Sequence, residues 1–165
     1  MRHHRDLEGR EKRPHVRRVI LGAIGLFLVL GLLNVFGQRP DTARAATDGV
    51  ELEVYSPTKL RSGLYFMSRI TITAEREVAN ATLVLDPGWL EGMTLNTLAP
   101  SPVGEASRDG RLVFELGRIP AGRKHVLFLH FQVNPTNAGR RPQDVDLMDG
   151  ERRLVHLDRT VTVYP

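Results

Sequence analysis

An uncharged run of 19 residues near the start of the chain restricts its fold more than any other feature. Residues 19–37 read VILGAIGLFLVLGLLNVFG, and Asn34 is the only strongly polar side chain among them. As an α-helix rising roughly 1.5 Å per residue, this run would be about 28 Å long, close to the roughly 30 Å hydrocarbon core of a bilayer. We therefore predict one transmembrane helix over residues 19–37, in contact with the lipid bilayer, followed by an exported domain.

The residues before this run carry all of the excess positive charge of the chain. Residues 1–18 contain seven Lys or Arg and three Asp or Glu, whereas the rest of the chain contains 16 of each. So polar a segment buries too little apolar surface to become ordered, and we expect a disordered tail. Arg17 and Arg18 directly precede the run, and flanking cations keep that end of a helix in the cytoplasm. The predicted location is the plasma membrane, with a cytoplasmic N-terminus and an extracytoplasmic C-terminal domain.

Charge distribution and cysteine content exclude several classes of function. The chain has 23 Lys or Arg against 19 Asp or Glu, but the excess lies in the tail. A nucleic-acid-binding domain carries such an excess on its folded part, so nucleic acid is not an expected partner. The chain has no cysteine, which excludes disulfides, thiolate metal sites and a cysteine nucleophile.

The apolar run has a second interpretation, as a cleaved signal peptide. Ala43, Arg44 and Ala45 fit the small-x-small pattern that precedes a cleavage site, so a cut after Ala45 is the alternative. The arginine pair before the run also matches part of a twin-arginine export signal. We favour the uncleaved anchor because the run is longer than the roughly 7–15 residues of a typical signal-peptide core. After it, residues 38–49 are small and polar, which predicts a linker.

Residues 50–165 alternate between apolar and polar side chains with a period of two, which is typical of half-buried strands. Turn sequences separate the strands, among them Asp86-Pro87-Gly88 and the hairpin pair Asp149-Gly150. The predicted strands cover residues 50–55, 64–74, 79–85, 93–98, 111–116, 125–133, 145–147 and 154–164. Their number and spacing predict an all-β fold, an immunoglobulin-like β-sandwich of about seven to nine strands. A jelly roll or a small barrel is the alternative.

One corner of this domain resembles a known class of module. The run LGRIPAGR at residues 116–123 is followed by a long alternating strand that ends in QVNP at residues 132–135. This pattern resembles bacterial extracellular Ig-like modules, such as CARDB-type adhesion domains and the Ig-like modules appended to surface glycosidases. One domain on one anchor is also similar to small membrane-anchored proteins of bacteria. The resemblance implies a sandwich over residues 50–164 and no catalytic residues.

The loop at residues 86–102 is the most distinctive stretch of the exported domain. It contains Trp89, the only tryptophan, together with Leu90 and Met93. Tryptophan is enriched at interface hot spots and loops carry much of protein function, so these three residues are the predicted contact for a partner or a glycan. The structural alternative is that Trp89 caps the core of the sandwich.

No pattern of catalytic, cofactor-binding or metal-binding residues reaches the specificity of a motif. Asp144, Asp146 and Asp149 lie near a glycine, but their spacing departs from that of an EF-hand loop, so we interpret them as a strand and its hairpin turn. Three strand histidines, His125, His130 and His156, have no partners that the sequence can identify. The chain also has no G-x-S-x-G serine motif. We therefore predict no catalytic, cofactor-binding or metal site, and no enzyme.

Together these features predict a non-catalytic single-pass membrane protein that displays one Ig-like domain outside the cytoplasm. The expected role is protein interaction or assembly of a membrane complex, with an unidentified membrane or envelope protein as partner. The alternative is an exported carbohydrate-binding or cell-wall-binding module, either anchored or cleaved after Ala45.

Overall fold

The chain divides into two compact units, Met1–Gly37 and Gln38–Pro165. In the computed structural model, the described residues are 13–33, 35, 38–47 and 49–165. Most of the tail predicted to be disordered, residues 1–12, lies outside this part of the chain, as does Asn34.

The first unit contains one α-helix, α1, which spans Arg13–Leu32. It begins six residues before the predicted residue 19, so the last part of the predicted disordered tail is helical instead. Arginine is a good helix former, so the charge of these residues does not prevent a helix. By its length and composition, the segment His15–Leu32 is able to cross a membrane.

The second unit is a β domain whose strands form three sheets. Sheet I has the strand order β1 (Pro40–Thr47), β2 (Val50–Pro57), β4 (Tyr65–Ala74), β9 (Arg123–Val133), β6 (Met93–Ala99). Sheet II has the order β12 (Arg152–Leu157), β11 (Val145–Asp149), β5 (Val78–Leu85), β8 (Arg111–Ile119), β7 (Gly104–Arg108). The small sheet III has the order β10 (Gly139–Pro142), β13 (Thr160–Tyr164), β3 (Lys59–Arg61), with β13 and β3 parallel.

One hydrophobic core lies between sheets I and II, and strand alternation builds it. Along β9 the residues Leu127, Leu129, Phe131 and Val133 are fully buried, whereas the residues between them point outward. Burial of each such side chain contributes roughly 1.5–3 kcal/mol. The prediction of an all-β, Ig-like sandwich is therefore confirmed. The sheets end in edge strands, as in a sandwich and unlike a closed barrel.

The predicted strand count is too low, because the described residues form thirteen strands. The strands β3, β7 and β10 are three to five residues long and lie in segments whose Gly and Pro content is typical of turns. The predicted strand 154–164 is two strands, β12 and β13, which belong to different sheets. The break falls at Asp158 and Arg159, where the chain crosses from sheet II to sheet III.

The prediction of a linker over residues 38–49 is wrong for most of that segment. Residues Pro40–Thr47 form β1, which pairs antiparallel with β2 along its whole length, from Pro40 opposite Pro57 to Thr47 opposite Val50. Backbone pairing between strands does not require large apolar side chains, so the amino-acid composition of residues 40–47 did not reveal this strand. The small side chains of Ala43 and Ala45 pack against the core.

Candidate functional site

Trp89, the centre of the predicted contact loop, is a core residue. It ends a short 3-10 helix, Pro87–Trp89, and its side chain is 0 % exposed. The ring centroid lies 5.5 Å from that of Phe131, and the indole Nε1 donates a hydrogen bond to the carbonyl oxygen of Asp144 (3.3 Å). Met93 is also buried, and Leu90 is half-buried against the core. A surface contact requires an exposed side chain, so the structure replaces the predicted contact loop with a cap on the sandwich.

The inward turn of this loop depends on close backbone packing. Gly88 lies against β10, and a Cβ atom placed on it would be 1.8 Å from the carbonyl oxygen of Pro142. Only glycine fits this approach without a shift of the backbone. The Gly88 contact therefore turns Trp89 toward the core.

Arg159 lies next to Trp89 and is the most buried cation of the domain described here. Its side chain is held by acceptors from two segments, with Nη1 donating to Oε1 of Gln143 and Nη2 to the carbonyl oxygens of Ser56 and Pro57. The guanidinium carbon is 5.4 Å from the centroid of the Trp89 ring. Burial lowers the pKa of Arg159 to about 10, so the side chain stays charged near neutral pH. Sequence reasoning missed this residue, although its parity with Val161 and Val163 places it on the inward face.

The outer face of sheet I carries a group of exposed aromatic and long apolar side chains, which we call the aromatic face. It consists of Tyr55, Tyr65, Met67, Arg69 and Phe128. Arg69 stands directly opposite Tyr55 on one side and Phe128 on the other, and its guanidinium carbon is 5.0 Å from the Tyr55 ring centroid. Tyr65, Met67 and Phe128 are 64 %, 39 % and 37 % exposed. These apolar side chains and the cation are accessible on the folded domain, without any conformational change.

Polar side chains continue the aromatic face on the neighbouring strands. Met67 is opposite His130, which is opposite Thr97 on β6, and Tyr65 is opposite Gln132. The signal for this surface was present in the sequence. Phe128 occupies the same alternating position as His130 and Gln132, which places its side chain on the outward face of β9.

A second group of polar side chains, which we call the His156 cluster, lies at the edge of sheet II. It comprises His156 with the carboxylates of Asp144, Asp146 and Asp158. The imidazole Nδ1 is 2.7 Å from Oδ1 of Asp146, and Nε2 is 3.0 Å from Oδ1 of Asp158. Donor atoms of Asp144, His156 and Asp158 all lie within 4.8 Å of one another.

Asp149, which the sequence grouped with Asp144 and Asp146, does not join this cluster. Its Oδ1 accepts a hydrogen bond from the backbone N–H of Asn80 (2.8 Å), which fits the predicted hairpin-turn role. Sequence reasoning missed His156 and Asp158 as neighbours of these acids, because their meeting depends on the pairing of β11 with β12.

The three strand histidines have different environments. The hydrogen bond to Asp146 is the main cause that raises the pKa of His156, and Asp158 adds to it, while burial opposes the shift. Burial lowers the pKa of His125, whose Nε2 is enclosed and has no hydrogen-bond partner among the described residues. His130 points away from the core, on the same side of β9 as the aromatic face.

Arg17 and Arg18, the predicted topology determinants, lie on the first turns of α1 and are exposed. Both residues precede the uncharged run at residues 19–37. The orientation of the helix in a membrane remains a prediction.

No protein-family model matches the chain, and no curated protein matches it. Solved structures do show similarity. The solution structure of CaCohA2 from Clostridium acetobutylicum has a TM-score of 0.48 at 14 % identity, covering 71 % of this chain and 92 % of that one. The C-terminal domain of wzt has a TM-score of 0.44 at 13 % identity, covering 78 % and 81 %.

A third similar structure is the GH20 exo-β-N-acetylglucosaminidase from Vibrio harveyi in complex with N-acetylglucosamine. Its TM-score is 0.29 at 11 % identity, and the match covers 77 % of this chain but 18 % of the enzyme. The sandwich assignment comes from the two packed sheets of this chain.

Proposed function

We propose that this protein is a non-catalytic, single-pass membrane protein that displays its Ig-like domain outside the cytoplasm to bind a membrane or envelope protein. The aromatic face of sheet I is the observation that carries the proposal. It lies on regular, paired strands and is accessible in the folded domain.

The composition of the aromatic face supports a role in protein recognition. Tyr, Phe, Met and Arg are enriched in the buried centres of protein interfaces. Tyr65, Met67 and Phe128 lie on the adjacent strands β4 and β9, so their side chains form one continuous surface. A partner would bury the part of each side chain that is still exposed, and a few such residues near the centre of an interface can dominate binding.

Charged groups border the apolar part of this face. Arg69 Nη2 lies 3.6 Å from Oε1 of Glu53, and Arg44 of β1 lies 2.7 Å from Oε2 of the same glutamate. These pairs are exposed and contribute little stability by themselves. They are available to select a partner of complementary charge and to orient it on the sheet.

The apolar helix α1 supports the membrane part of the proposal. Arg17 and Arg18 lie on its first turns, directly before the uncharged run at residues 19–37, and favour a cytoplasmic N-terminus because cations are retained on that side. A domain joined to an anchor by so short a segment meets membrane-bound partners at a high effective concentration. Modest affinity at the aromatic face is then sufficient for assembly.

Site-specific photo-crosslinking tests this function. A photoreactive amino acid placed at Met67 or Phe128 is expected to crosslink the full-length protein to one partner in native membranes, which mass spectrometry then identifies. Glu115 is the matched control, since it is an exposed strand residue of β8 in sheet II. Equal crosslinking from Glu115, or none from either test position, would contradict the proposal.

A disruptive substitution provides the second half of the test. Phe128→Ser combined with Met67→Ser is expected to reduce co-purification of the identified partner at least tenfold, and a cooperative thermal transition of the variant shows that the domain is still folded. Glu115→Ser should leave co-purification unchanged. Trp89, the residue expected to contact a glycan in the carbohydrate-binding or cell-wall-binding alternative, is buried and does not support that alternative.

A further inference from the structure

The His156 cluster brings together three donor groups from three segments of the chain. Asp144 immediately precedes β11, His156 lies on β12, and Asp158 lies in the connection between β12 and β13. One ligand atom from each residue lies within 4.8 Å of the other two. Nitrogen from one imidazole and oxygen from two carboxylates form a mixed donor set.

The histidine ring of the cluster is oriented by a residue outside this donor set. Asp146 is directly opposite His156 in the pairing of β11 with β12, and its Oδ1 lies 2.7 Å from Nδ1. The Asp146 side chain is only 14 % exposed, so its position is restricted. A carboxylate on one imidazole nitrogen is the usual arrangement behind a metal-binding histidine, because it fixes the tautomer and directs the other nitrogen to the ion.

The spacing of two hydrogen-bonded atoms of the cluster fits a shared ion, which would replace the proton between them. Nε2 of His156 is 3.0 Å from Oδ1 of Asp158. Two ligands bound to one Zn²⁺ at about 2.0–2.1 Å in tetrahedral geometry are separated by about 3.3 Å. A small adjustment of the exposed Asp158 side chain is therefore enough to place both atoms on one cation.

The third donor, Asp144, is held in place by the core. Its Oδ1 accepts a hydrogen bond from the backbone N–H of Arg159 (2.8 Å), and its carbonyl oxygen accepts from the N–H of Asp86 (3.1 Å) and from Trp89 Nε1 (3.3 Å). The Arg159 contact also ties Asp144 to the segment that carries Asp158. These hydrogen bonds fix the position of Asp144 relative to Trp89 and Arg159 in the core.

The charge of the cluster favours a cation. Three carboxylates surround one imidazole, and the described counter-charge is the exposed Arg153, whose Nη1 lies 3.7 Å from Oδ1 of Asp146. Arg153 faces the positioning carboxylate of Asp146 and not the ligand carboxylates of Asp144 and Asp158.

We propose that Asp144, His156 and Asp158 bind a divalent transition-metal cation of the Zn²⁺ type, with Asp146 as the positioning residue and water in the remaining coordination positions. An imidazole ligand favours Zn²⁺ over Ca²⁺ or Mg²⁺, which prefer all-oxygen sites. The ion joins the β11–β12 hairpin to the β12–β13 connection, and it stabilises the folded state by mass action. This site is independent of the aromatic face.

Metal titration of the full-length chain in detergent tests the site. The protein carries no histidine tag and has the background substitutions His3→Gln and His4→Gln, because the tail histidines are also potential ligands. After removal of metal by a chelating resin, calorimetric titration with ZnCl₂ is expected to show one saturable ion in the micromolar range. Zn²⁺ should also raise Tm, and Co²⁺ should produce visible absorption bands.

Matched variants show whether the ion lies in this cluster. His156→Gln and Asp158→Asn are each expected to weaken Zn²⁺ binding at least tenfold, and the Asp158 variant should fold normally because that side chain is 87 % exposed. Asp146→Asn is expected to weaken binding by about 10–100-fold through misorientation of the ring. His130→Gln and Asp149→Asn serve as controls and should leave binding unchanged.

Three outcomes would overturn the proposal. The first is absence of saturable Zn²⁺ binding in the background protein. The second is unchanged affinity in both His156→Gln and Asp158→Asn, which would place the ion elsewhere. The third is Ca²⁺ binding as tight as Zn²⁺ binding, which would exclude the imidazole as a ligand.

Discussion

At the residue scale, the buried side chains of Arg159 and Trp89 stabilise one corner of the sandwich. Arg159 and Trp89 contact each other within the core and donate hydrogen bonds to backbone carbonyls from two different segments of the chain, residues 56–57 and Asp144. A buried guanidinium is stable only when its donors are paired, and here carbonyl oxygens provide the pairing. The corner therefore behaves as one unit whose stability depends on these polar contacts as well as on apolar packing.

Replacement of this arginine should lower the free energy of unfolding. Arg159→Met keeps the apolar stem but leaves the carbonyls of Ser56 and Pro57 and the amide oxygen of Gln143 without donors, so we expect a loss of about 3 kcal/mol. Urea unfolding monitored by the fluorescence of the single tryptophan measures it. The exposed Arg123→Met is the control and should change stability by less than about 0.5 kcal/mol. Equal or higher stability of Arg159→Met would show that the carbonyls find other partners.

His125 should make the stability of the domain pH-dependent. Burial lowers its pKa in the folded state, so the unfolded chain takes up the proton first as pH falls, and stability is lost below about pH 6.5. His125→Phe removes this ionisation and should reduce the loss of unfolding free energy between about pH 7.5 and about pH 5.5. The measurement is urea unfolding at both pH values in the presence of a chelator. A profile of His125→Phe identical to that of the parent would refute the assignment.

At the scale of elements, β1 is the strand with the most unusual composition. It contains small and charged residues, yet it pairs with β2 over eight positions and forms one edge of sheet I. The site of the alternative signal cleavage, after Ala45, lies inside this strand. Cleavage there would remove six of its eight residues, Pro40 to Ala45, and uncover the backbone donors and acceptors of β2.

A chain that begins at Ala46 should therefore be less stable than one that begins at Gln38. The shorter chain loses the packing of Ala43 and Ala45 and presents β2 as an unprotected edge, so we expect a lower Tm and self-association. Thermal unfolding and light scattering of the two chains measure both effects. A shorter chain that stays monomeric with the same Tm would show that β1 is dispensable and would favour the cleaved form.

At the scale of the whole molecule, an apolar helix precedes a β domain that carries the aromatic face. The helix is long enough to span a bilayer, and the domain buries a complete core without it. The proposed function requires the helix to be an anchor and the β domain to lie outside the cytoplasm, so orientation is the property to test. The absence of cysteine allows orientation to be tested with single introduced thiols.

Thiol labelling should place the β domain outside the cytoplasm. Glu151→Cys lies in the exposed β11–β12 turn and is expected to react with a membrane-impermeant maleimide in intact spheroplasts. Leu7→Cys in the tail should react only after permeabilisation. Intact mass of the labelled protein from the membrane fraction should match the full chain. The opposite labelling pattern would contradict the predicted topology, and a product that begins at Ala46 would contradict the anchor.

The sequence alone determined the features that depend on local periodicity. The apolar run predicts α1, and strict alternation along residues 125–133 predicts β9 and the inward direction of its side chains. Alternation also identifies most other strands, because neighbouring side chains on a strand point to opposite faces whatever the sheet contains. These local rules were sufficient for the all-β sandwich.

Tertiary structure alone decided which distant residues meet. Arg159 binds the carbonyl of Ser56, 103 positions away, and β1 forms because the edge of β2 is available to it. Trp89 is buried since the backbone at Gly88 approaches β10, and the His156 cluster forms since β11 pairs with β12 in one register. Local pattern specifies the face on which a side chain lies. Its partners depend on strand order and register, which are global properties of the packed chain.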